Sequence, residues 1–435
     1  MKHPKTAALI LAVSMMPGLA FAQEGPVTFE FSFSNPGARA MGFGGAFVAL
    51  ADDATAAFAN PAGLVQLIEP EISVEGRHWS YDAQFVAGGR VSGEPTGFGL
   101  DTTADIRHGF STDDVTGLSF ASAVLPGKGW SVAVYRHLWA DFSLSRRIDG
   151  LFFAEDGETG RSEDVVARTD LSVVNIGLAG ALRLSPTVSI GVGAVHFDAV
   201  LDAYSEEHRV LDDQMFYQSN PFTPDGLDTS YSNTGRDSGV ILHGGLLWKP
   251  NERWSIGATY REGPEIRLSV IEITGSANDD LPPGTVEVDS TSPLKFPDVY
   301  GLGAAYRTAS GALTVSFEWN RVLYSDLTNS LDATVFDTGQ VKLGDVDEYH
   351  LGLELVLARS TPLIALRGGA WFDPAHGLGP GPDADPVEAA IFNGGEDQVH
   401  LTGGLGMAFR TFQLDLGFDL SDSVDSYSLS LVYRF

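Results

Sequence analysis

The C-terminal stretch FQLDLGFDLSDSVDSYSLSLVYRF, residues 412–435, decides the fold because its side chains alternate in character. Large apolar residues occupy every second position, and carboxylates, hydroxyls and small residues lie between them. The apolar positions are Phe412, Leu414, Leu416, Phe418 and Leu420, then Tyr427, Leu429, Leu431, Tyr433 and Phe435. A period of two gives an extended strand one apolar and one polar face. The stretch therefore predicts two adjacent β-strands.

The same alternation recurs upstream and favours a transmembrane barrel over a soluble sandwich. Further alternating segments begin at Trp254, Leu313 and Leu401, and Trp130 lies near a segment end, where an aromatic girdle would sit. A soluble core rarely extends to the last residue, but here the pattern runs to Phe435. A terminal Phe that closes an aromatic-rich strand resembles the assembly signal of bacterial outer-membrane barrels.

The connections between these segments have two lengths. Tight turns are predicted at residues 126–128, 186, 250–251 and 310–311. Long polar stretches cover residues 91–114, 148–165, 206–237, 275–294, 329–345 and 374–395. Short periplasmic turns that alternate with long external loops are typical of outer-membrane barrels. The sequence thus predicts an all-β, antiparallel transmembrane β-barrel of about fourteen strands, an even number as in bacterial single-chain barrels.

Composition and motifs exclude several functional classes. The chain has 57 acidic and 27 basic residues and a net charge of −30, which argues against a nucleic-acid partner. No G-x-S-x-G, H-E-x-x-H or P-loop motif is present, so we expect neither an enzyme nor a bound cofactor. Asp383, Asp385 and Glu388 lack calcium-loop spacing and predict a solvated loop, with a loosely held cation as the alternative.

The N-terminus indicates export. Lys2 and Lys5 precede an apolar run over residues 6–19 and then Ala20-Phe21-Ala22, which predicts a signal peptide over residues 1–22. The alternative, an uncleaved membrane anchor, is disfavoured because the run is shorter than the roughly 20 residues that span a bilayer. Insertion into a membrane would then be by strands.

Residues 23–69 show no sustained alternation and predict a compact plug, or hatch, ahead of a barrel over residues 70–435. Asn60 before Pro61 is typical of a helix N-cap with proline at the first helical position. Asp52 and Asp53 are placed to cap or charge another short helix. A barrel of about fourteen strands is too wide for its own side chains to fill. We therefore expect short hatch helices inside the lumen rather than a segment hanging in the periplasm.

The stretch FSFSNPGARAMGFGGAFVALADDATAAFANPAGL, residues 31–64, resembles the hatch of the FadL family, outer-membrane transporters of long-chain fatty acids and other hydrophobic molecules. The matching residues include Arg39, Asp52, Asp53, Asn60, Pro61 and Ala62, and we assign Gly63 to the same motif. Barrel segments such as LSFASAVLPGKGWSVAVYRHLWADFSL and LKFPDVYGLGAAYR are also similar to family strands. The implied protein is a monomer among lipid and lipopolysaccharide in the outer membrane of a Gram-negative bacterium.

One departure keeps an alternative function open. The segment between Arg39-Ala40 and Ala51-Asp52 is longer than in the best-known family members. In this respect the chain also resembles barrels associated with protein secretion. The alternative is a structural or secretion-accessory barrel.

The family resemblance implies passive uptake of a hydrophobic ligand. The ligand would land in a groove between external loops, pass a hatch that shifts, and leave sideways at an inward kink in the third strand. The groove candidates are Met215, Phe216, Tyr217 and Phe222, which either bind ligand or pack the loop on the rim. Phe29, Phe31 and Phe33 would touch ligand in the lumen or pack the hatch.

The third strand carries its own signal at Arg136. Alternation from Trp130 places Arg136 on the lipid face, where an arginine at mid-depth costs about 2–4 kcal/mol. A register break near residues 134–137 would turn Arg136 into the lumen beside His137 as a cation for a carboxylate. The alternative is that Arg136 snorkels to the headgroups.

A second difference from the best-known family members leaves the class of substrate open. The best-known members hold a carboxylate with basic residues late in the fifth strand and at the start of the tenth, and Ser205 and Val346 stand there in this chain. The candidate substitutes are Arg136, His137, Arg39, His208 and Arg209. The other interpretation is an uncharged ligand, such as an aromatic hydrocarbon.

Overall fold

The computed structural model describes residues 35–155, 157–210, 215–217, 226–278, 281–331, 339–357, 360–384 and 386–435. Some of the predicted features lie outside the described residues: the signal peptide, the start of the hatch with Phe29, Phe31 and Phe33, and Phe222. Among the helices that are described, none is long and apolar enough to cross a membrane.

The described chain forms twenty strands and a few short helices. The strands are β1 Glu71–Arg90, β2 Ile106–Pro126, β3 Trp130–Ile148, β4 Leu151–Glu155, β5 Glu158–Arg161, β6 Asp164–Arg183, β7 Val188–His208, β8 Leu227–Trp248, β9 Trp254–Arg261, β10 Glu265–Thr274, β11 Val286–Lys295, β12 Val299–Arg307, β13 Leu313–Val322, β14 Val341–Lys342, β15 Val346–Leu357, β16 Leu363–Asp373, β17 Gly379–Pro380, β18 Gln398–Ala408, β19 Phe412–Leu420 and β20 Val424–Arg434. The helices are α1 Ala38–Gly42, α2 Ala56–Ala59, a 3₁₀ helix Pro61–Gln66, α3 Asp326–Asn329 and α4 Pro386–Ile391.

The large sheet closes on itself as an antiparallel barrel. The last strand, β20, pairs with β1 from Glu71↔Arg434 onward, which joins the two ends of the sheet. β9 with β10 and β11 with β12 each form one wall strand, interrupted at residues 262–264 and 296–298. Because β4, β5, β14 and β17 belong to the connections, the wall has fourteen strands. The prediction of a barrel of about fourteen strands is confirmed.

The connections at one end of the barrel are all short, and those at the other end are long except for residues 421–423 between β19 and β20. The connections at the first end cover residues 127–129, 184–187, 249–253, 308–312, 358–362 and 409–411. In outer-membrane barrels such turns face the periplasm. The predicted loop 206–237 is too long, because β7 extends to His208 and β8 begins at Leu227. Near the rim both strand faces meet water or polar groups, so the apolar alternation that marks a strand is lost there.

The wall is irregular between β2 and β3. These strands pair only from Phe120↔His137 to Pro126↔Ser131, whereas β1 stays paired with β2 as far as Ile106. β3 continues along β6 instead, with a register shift between Leu138 and Ala140. The break therefore falls just after the predicted 134–137, and it separates β3 from β2 over their external halves.

Candidate functional site

The hatch, residues 35–67 in the described chain, lies inside the barrel against glycines of the wall. A Cβ on Gly191 would lie 2.3 Å from the carbonyl carbon of Pro61, and one on Gly352 would lie 2.1 Å from Phe43 O. Other wall glycines in similar contact with the hatch are Gly245, Gly257, Gly369 and Gly417. Because glycine has no side chain, these wall positions leave the space that the hatch backbone occupies.

Asn60 joins the hatch to itself and to the wall. Its Oδ1 accepts a hydrogen bond from Ala62 N at 3.1 Å, and Pro61 begins the 3₁₀ helix, so the predicted N-cap is confirmed. Its Nδ2 donates to Val48 O at 2.9 Å and to Leu246 O of β8 at 3.1 Å. The side chain is fully buried, so these groups have few other partners.

An ion-pair cluster holds the hatch near its periplasmic side. Arg39 Nη1 lies 2.6 Å from Asp52 Oδ1 and 3.3 Å from Asp53 Oδ2, and its Nε lies 3.1 Å from Glu354 Oε2 of β15. Arg307 of β12 also pairs with Asp52, at 3.0 Å. Burial opposes ionisation of Asp52, but Arg39 and Arg307 hold the pKa of this carboxyl well below its usual range.

The two aspartates of the hatch have different roles. Asp53 Oδ1 accepts from Thr55 N at 2.9 Å just before α2, but Thr55 is the N-cap of that helix and no side chain caps it, so the predicted cap at Asp53 is not formed. Burial raises the pKa of Asp53. Asp52 does not cap a helix, which corrects that expectation, because both its oxygens face arginines.

Carboxylates of the barrel wall accept hydrogen bonds from backbone amides of the hatch, a feature that the sequence analysis missed. Glu318 Oε2 of β13 accepts from Phe47 N and Val48 N, each at 2.8 Å. Glu75 Oε2 of β1 accepts from Gly37 N at 3.0 Å. The only available signal was a glutamate on the polar face of an alternating segment, which does not identify its partner.

A cavity of about 110 Å³ lies between the hatch and the external end of the lumen. Its wall combines aromatic rings, histidines and carboxylates. The residues that line it include Met41, Gly45, Trp79, Tyr81, Leu138, Tyr324, Glu348, His350, Trp371, Asp373, His376, His400 and Asp419. The Trp371 ring stacks between His400, at 3.8 Å between centroids, and His350, at 5.1 Å. The cavity thus offers flat apolar faces with polar edges.

The cavity reaches the place where β2 and β3 part. Tyr81 lines it and donates its hydroxyl to Asp113 Oδ2 at 2.9 Å. Across the gap, Ser143 N donates to Asp113 Oδ2 at 2.8 Å and Ser145 N donates to Ser111 Oγ at 3.0 Å. Side chains of β2 therefore replace the backbone ladder between these strands.

The prediction that Arg136 faces the lumen is wrong. The register shift follows it, so Arg136 keeps the outward parity of the exposed Val132 and Val134. Its Nη1 donates to Leu118 O at 2.6 Å, where β2 begins to lose its pairing with β3. His137 faces inward and is buried against the hatch, with its ring 4.4 Å from that of Phe58.

The external candidates lie in a cluster of loops. Phe216 stacks on Phe152 at 6.0 Å, and Arg161 donates to Met215 O and Tyr217 O at 3.0 and 2.8 Å. Tyr217 is 60% exposed. For Phe216 the packing alternative accounts for the contacts, while Tyr217 stays a candidate for ligand contact.

The other candidate cations are engaged elsewhere. His208 pairs with Glu206 at 3.1 Å, and Arg209 donates to Ala277 O at 3.1 Å. Arg39 belongs to the hatch ion pairs. The cation that the sequence analysis missed is Arg261, at an inward position of the alternating segment 254–261.

Comparison with known proteins gives the family. The profile of the outer membrane protein transport protein family (OMPP1/FadL/TodX) matches residues 153–375. The chain belongs to this family. It is 25% identical over 320 residues to the long-chain fatty acid transport protein of Escherichia coli O6:H1, which covers 71% of this chain and 63% of the relative. The match thus spans less than two thirds of that relative's length.

Solved structures share the fold at low sequence identity. A Pseudomonas aeruginosa FadL homologue superposes with a TM-score of 0.61 at 12% identity, over 95% of this chain and 100% of its own. The Ralstonia pickettii toluene transporter TbuX gives 0.57 at 13% identity, over 93% and 99%. The Pseudomonas putida toluene transporter TodX gives 0.55 at 14% identity, over 94% and 100%. The protein is an outer-membrane β-barrel of this family.

Proposed function

We propose that the protein takes up hydrophobic small molecules, fatty acids or aromatic hydrocarbons, passively through the outer membrane. The observation that carries the proposal is a ring-lined cavity that ends where β2 and β3 lose their ladder. The similar proteins named above include a long-chain fatty acid transport protein and toluene transporters, which supports this class of ligand. The protein would work without a cofactor, as a monomer surrounded by lipid and lipopolysaccharide.

The exit route in this proposal runs sideways through the wall. Leu138 lines the cavity and lies at the register shift, so a ligand in the cavity is adjacent to the gap. The gap is closed by the Asp113 and Ser111 side chains. Side chains can rotate away individually, whereas opening a continuous ladder would break a row of backbone hydrogen bonds together.

A shift of the hatch completes the proposed route. Asn35, Met41 and Gly45 of the hatch form the floor of the cavity. A ligand in the cavity therefore contacts the hatch directly, and binding energy at this surface can favour a displaced hatch. Direct passage to the periplasm would require much larger displacement than a local change beside β3.

A disulfide across the gap tests the exit route, because the natural chain has no cysteine. Ser111→Cys with Ser145→Cys would join β2 to β3, and the matched pair Leu355→Cys with Leu366→Cys would join β15 to β16, which are already fully paired. Uptake of a radiolabelled fatty acid and of toluene by liposomes containing the protein is the measurement.

We expect the gap disulfide to lower uptake at least about tenfold, and a reductant to restore it. The control disulfide should leave uptake unchanged. Undiminished uptake with the gap locked would refute the lateral route. No uptake by the natural protein would instead favour the alternative, a structural or secretion-accessory barrel.

A further inference from the structure

Phe58 of the hatch covers a buried group of polar side chains. Phe58 belongs to α2, and its ring centroid lies 5.1 Å from the guanidinium carbon of Arg261. The rings of His137 and His243 lie 4.4 and 5.5 Å from the Phe58 ring. An apolar hatch side chain thus packs over an interior cation.

Arg261 has unusual surroundings for a buried arginine. It is 5% exposed, and in the described part of the chain its Nε and Nη2 have no hydrogen-bond partner. Nη1 donates only to Asn35 Oδ1, at 3.5 Å. Buried charges are normally paired and fully hydrogen-bonded because desolvation is costly. This arginine therefore retains binding capacity.

The neighbouring carboxylates do not use that capacity. Burial disfavours the charge of Arg261, Glu318 and Glu348 offset this only at longer range, and no described carboxylate forms an ion pair with it. Glu318 accepts from two hatch amides, and Glu348 contacts His350 at 3.4 Å. Among the described residues the guanidinium is left without a direct counter-ion.

The two unsatisfied nitrogens have the geometry of an anion receptor. Nε and Nη2 form one side of the guanidinium, where two parallel N–H groups match the two oxygens of a carboxylate. His137 Nδ1 nearby also lacks a hydrogen-bond partner among the described residues. The space left beside Phe58 is about 10 Å³, which holds one water at most.

We propose that Arg261 is a carboxylate-binding subsite that Phe58 covers, and that displacement of Phe58 admits the head group of an anionic amphiphile. The proposal rests on the proposed uptake function and adds a preference for carboxylates. In the cavity nearer the outside, Arg77 is held by Glu75 at 2.9 Å, and three carboxylates share the lining. That cavity suits the apolar part of a ligand, and the free arginine fork lies deeper.

Calorimetric titration of the full-length protein in detergent tests this, with octanoate and 1-octanol as ligands of equal chain length. Phe58→Ala removes the cover, and we expect it to bind octanoate about tenfold more tightly than the natural protein, with no such gain for 1-octanol. Adding Arg261→Gln should abolish the gain, and adding Arg261→Lys should keep part of it, because lysine retains the charge without the fork. Arg410→Gln, an exposed arginine in a periplasmic turn, is the matched control.

Several results would overturn the proposal. A gain that persists in Phe58→Ala with Arg261→Gln, or an equal gain for 1-octanol, would mean that the substitution only created apolar space. Binding of 1-octanol without any preference of Phe58→Ala for octanoate would refute the subsite and leave the uptake function intact. Failure of every variant to bind either ligand would count against both.

Discussion

Replacing Asn60 by alanine should loosen the hatch while leaving the barrel intact. The change removes hydrogen bonds with Ala62 N, Val48 O and Leu246 O, all in a fully buried position. Each lost bond to a buried group costs about 1 kcal/mol, so the local opening of the hatch should become easier by about 3 kcal/mol. At 1.4 kcal/mol for each factor of ten, this is a change of roughly 150-fold.

Amide hydrogen exchange followed by mass spectrometry measures this opening. Peptides within residues 47–67 should exchange roughly 150-fold faster in Asn60→Ala, and peptides from β15 and β16 should not change. Asn251→Ala is the control, since Asn251 also accepts from two backbone amides, Arg253 N and Trp254 N, but is exposed in a periplasmic turn. Hatch exchange within about threefold of the natural protein would refute the reasoning, because water would then be replacing the Asn60 contacts at little cost.

Other perturbations give equally direct outcomes. Gly245→Val should displace the hatch and make it sensitive to limited proteolysis, because a Cβ at this position would lie 2.1 Å from Asn60 Oδ1. Gly244→Val on the same strand should not, because a Cβ there would have no atom within 4 Å. Equal proteolysis of the two variants would contradict the role of the glycine contacts. Arg39→Gln should raise the ion conductance of the protein in planar bilayers, because Asp52 and Glu354 lose the arginine that they share. An unchanged conductance would mean that the remaining ion pairs, Arg307 with Asp52 and Arg367 with Glu354, are enough to hold the hatch in place. Hydrogen bonds from Arg90 and then Thr96 hold the pKa of Asp101 at about 2. The ionised carboxylate therefore stabilises the first external loop fully at pH values above the pKa of an unfolded aspartate, about 3.9. This stabilisation is lost progressively as the pH falls towards 2. Protection of residues 91–105 against exchange, relative to the intrinsic rate at each pH, should fall over that pH range in the natural protein but not in Asp101→Asn, and the same fall in both would assign the effect to other groups.

The strands could be predicted from the sequence because the two faces of the barrel wall have different surroundings, lipid outside and the polar lumen inside. Lipid selects apolar side chains at alternate positions, so the segments ending at Phe435 were recognisable without any partner. The N-cap at Asn60 was readable because its interactions are mostly local. The predicted strand ends near the rim were wrong because water contacts both faces of a strand there, which removes the alternation of apolar and polar residues.

The interior was less predictable because alternation gives the face of a residue but not its neighbours. Glu318 and Arg261 both occupy inward positions, yet one binds hatch amides and the other faces Phe58. Arg136 was misplaced because the cost of a lipid-facing arginine was compared only with a turn into the lumen and with snorkelling to the headgroups. The structure contains a further solution, in which Arg136 satisfies the free carbonyl of Leu118.

The distribution of polar contacts also bears on how far the hatch needs to move. Removing the whole hatch would break the buried contacts of Asn60, the Arg39 ion pairs and the amides held by Glu318, each worth about 1–3 kcal/mol. The segment Ala56–Ala59 has only apolar side chains, three alanines and Phe58, so its displacement breaks no side-chain hydrogen bond. A local shift of this segment is therefore much less costly than ejection of the hatch. Because that shift uncovers Arg261, binding of a carboxylate there would itself offset part of the cost of moving Phe58.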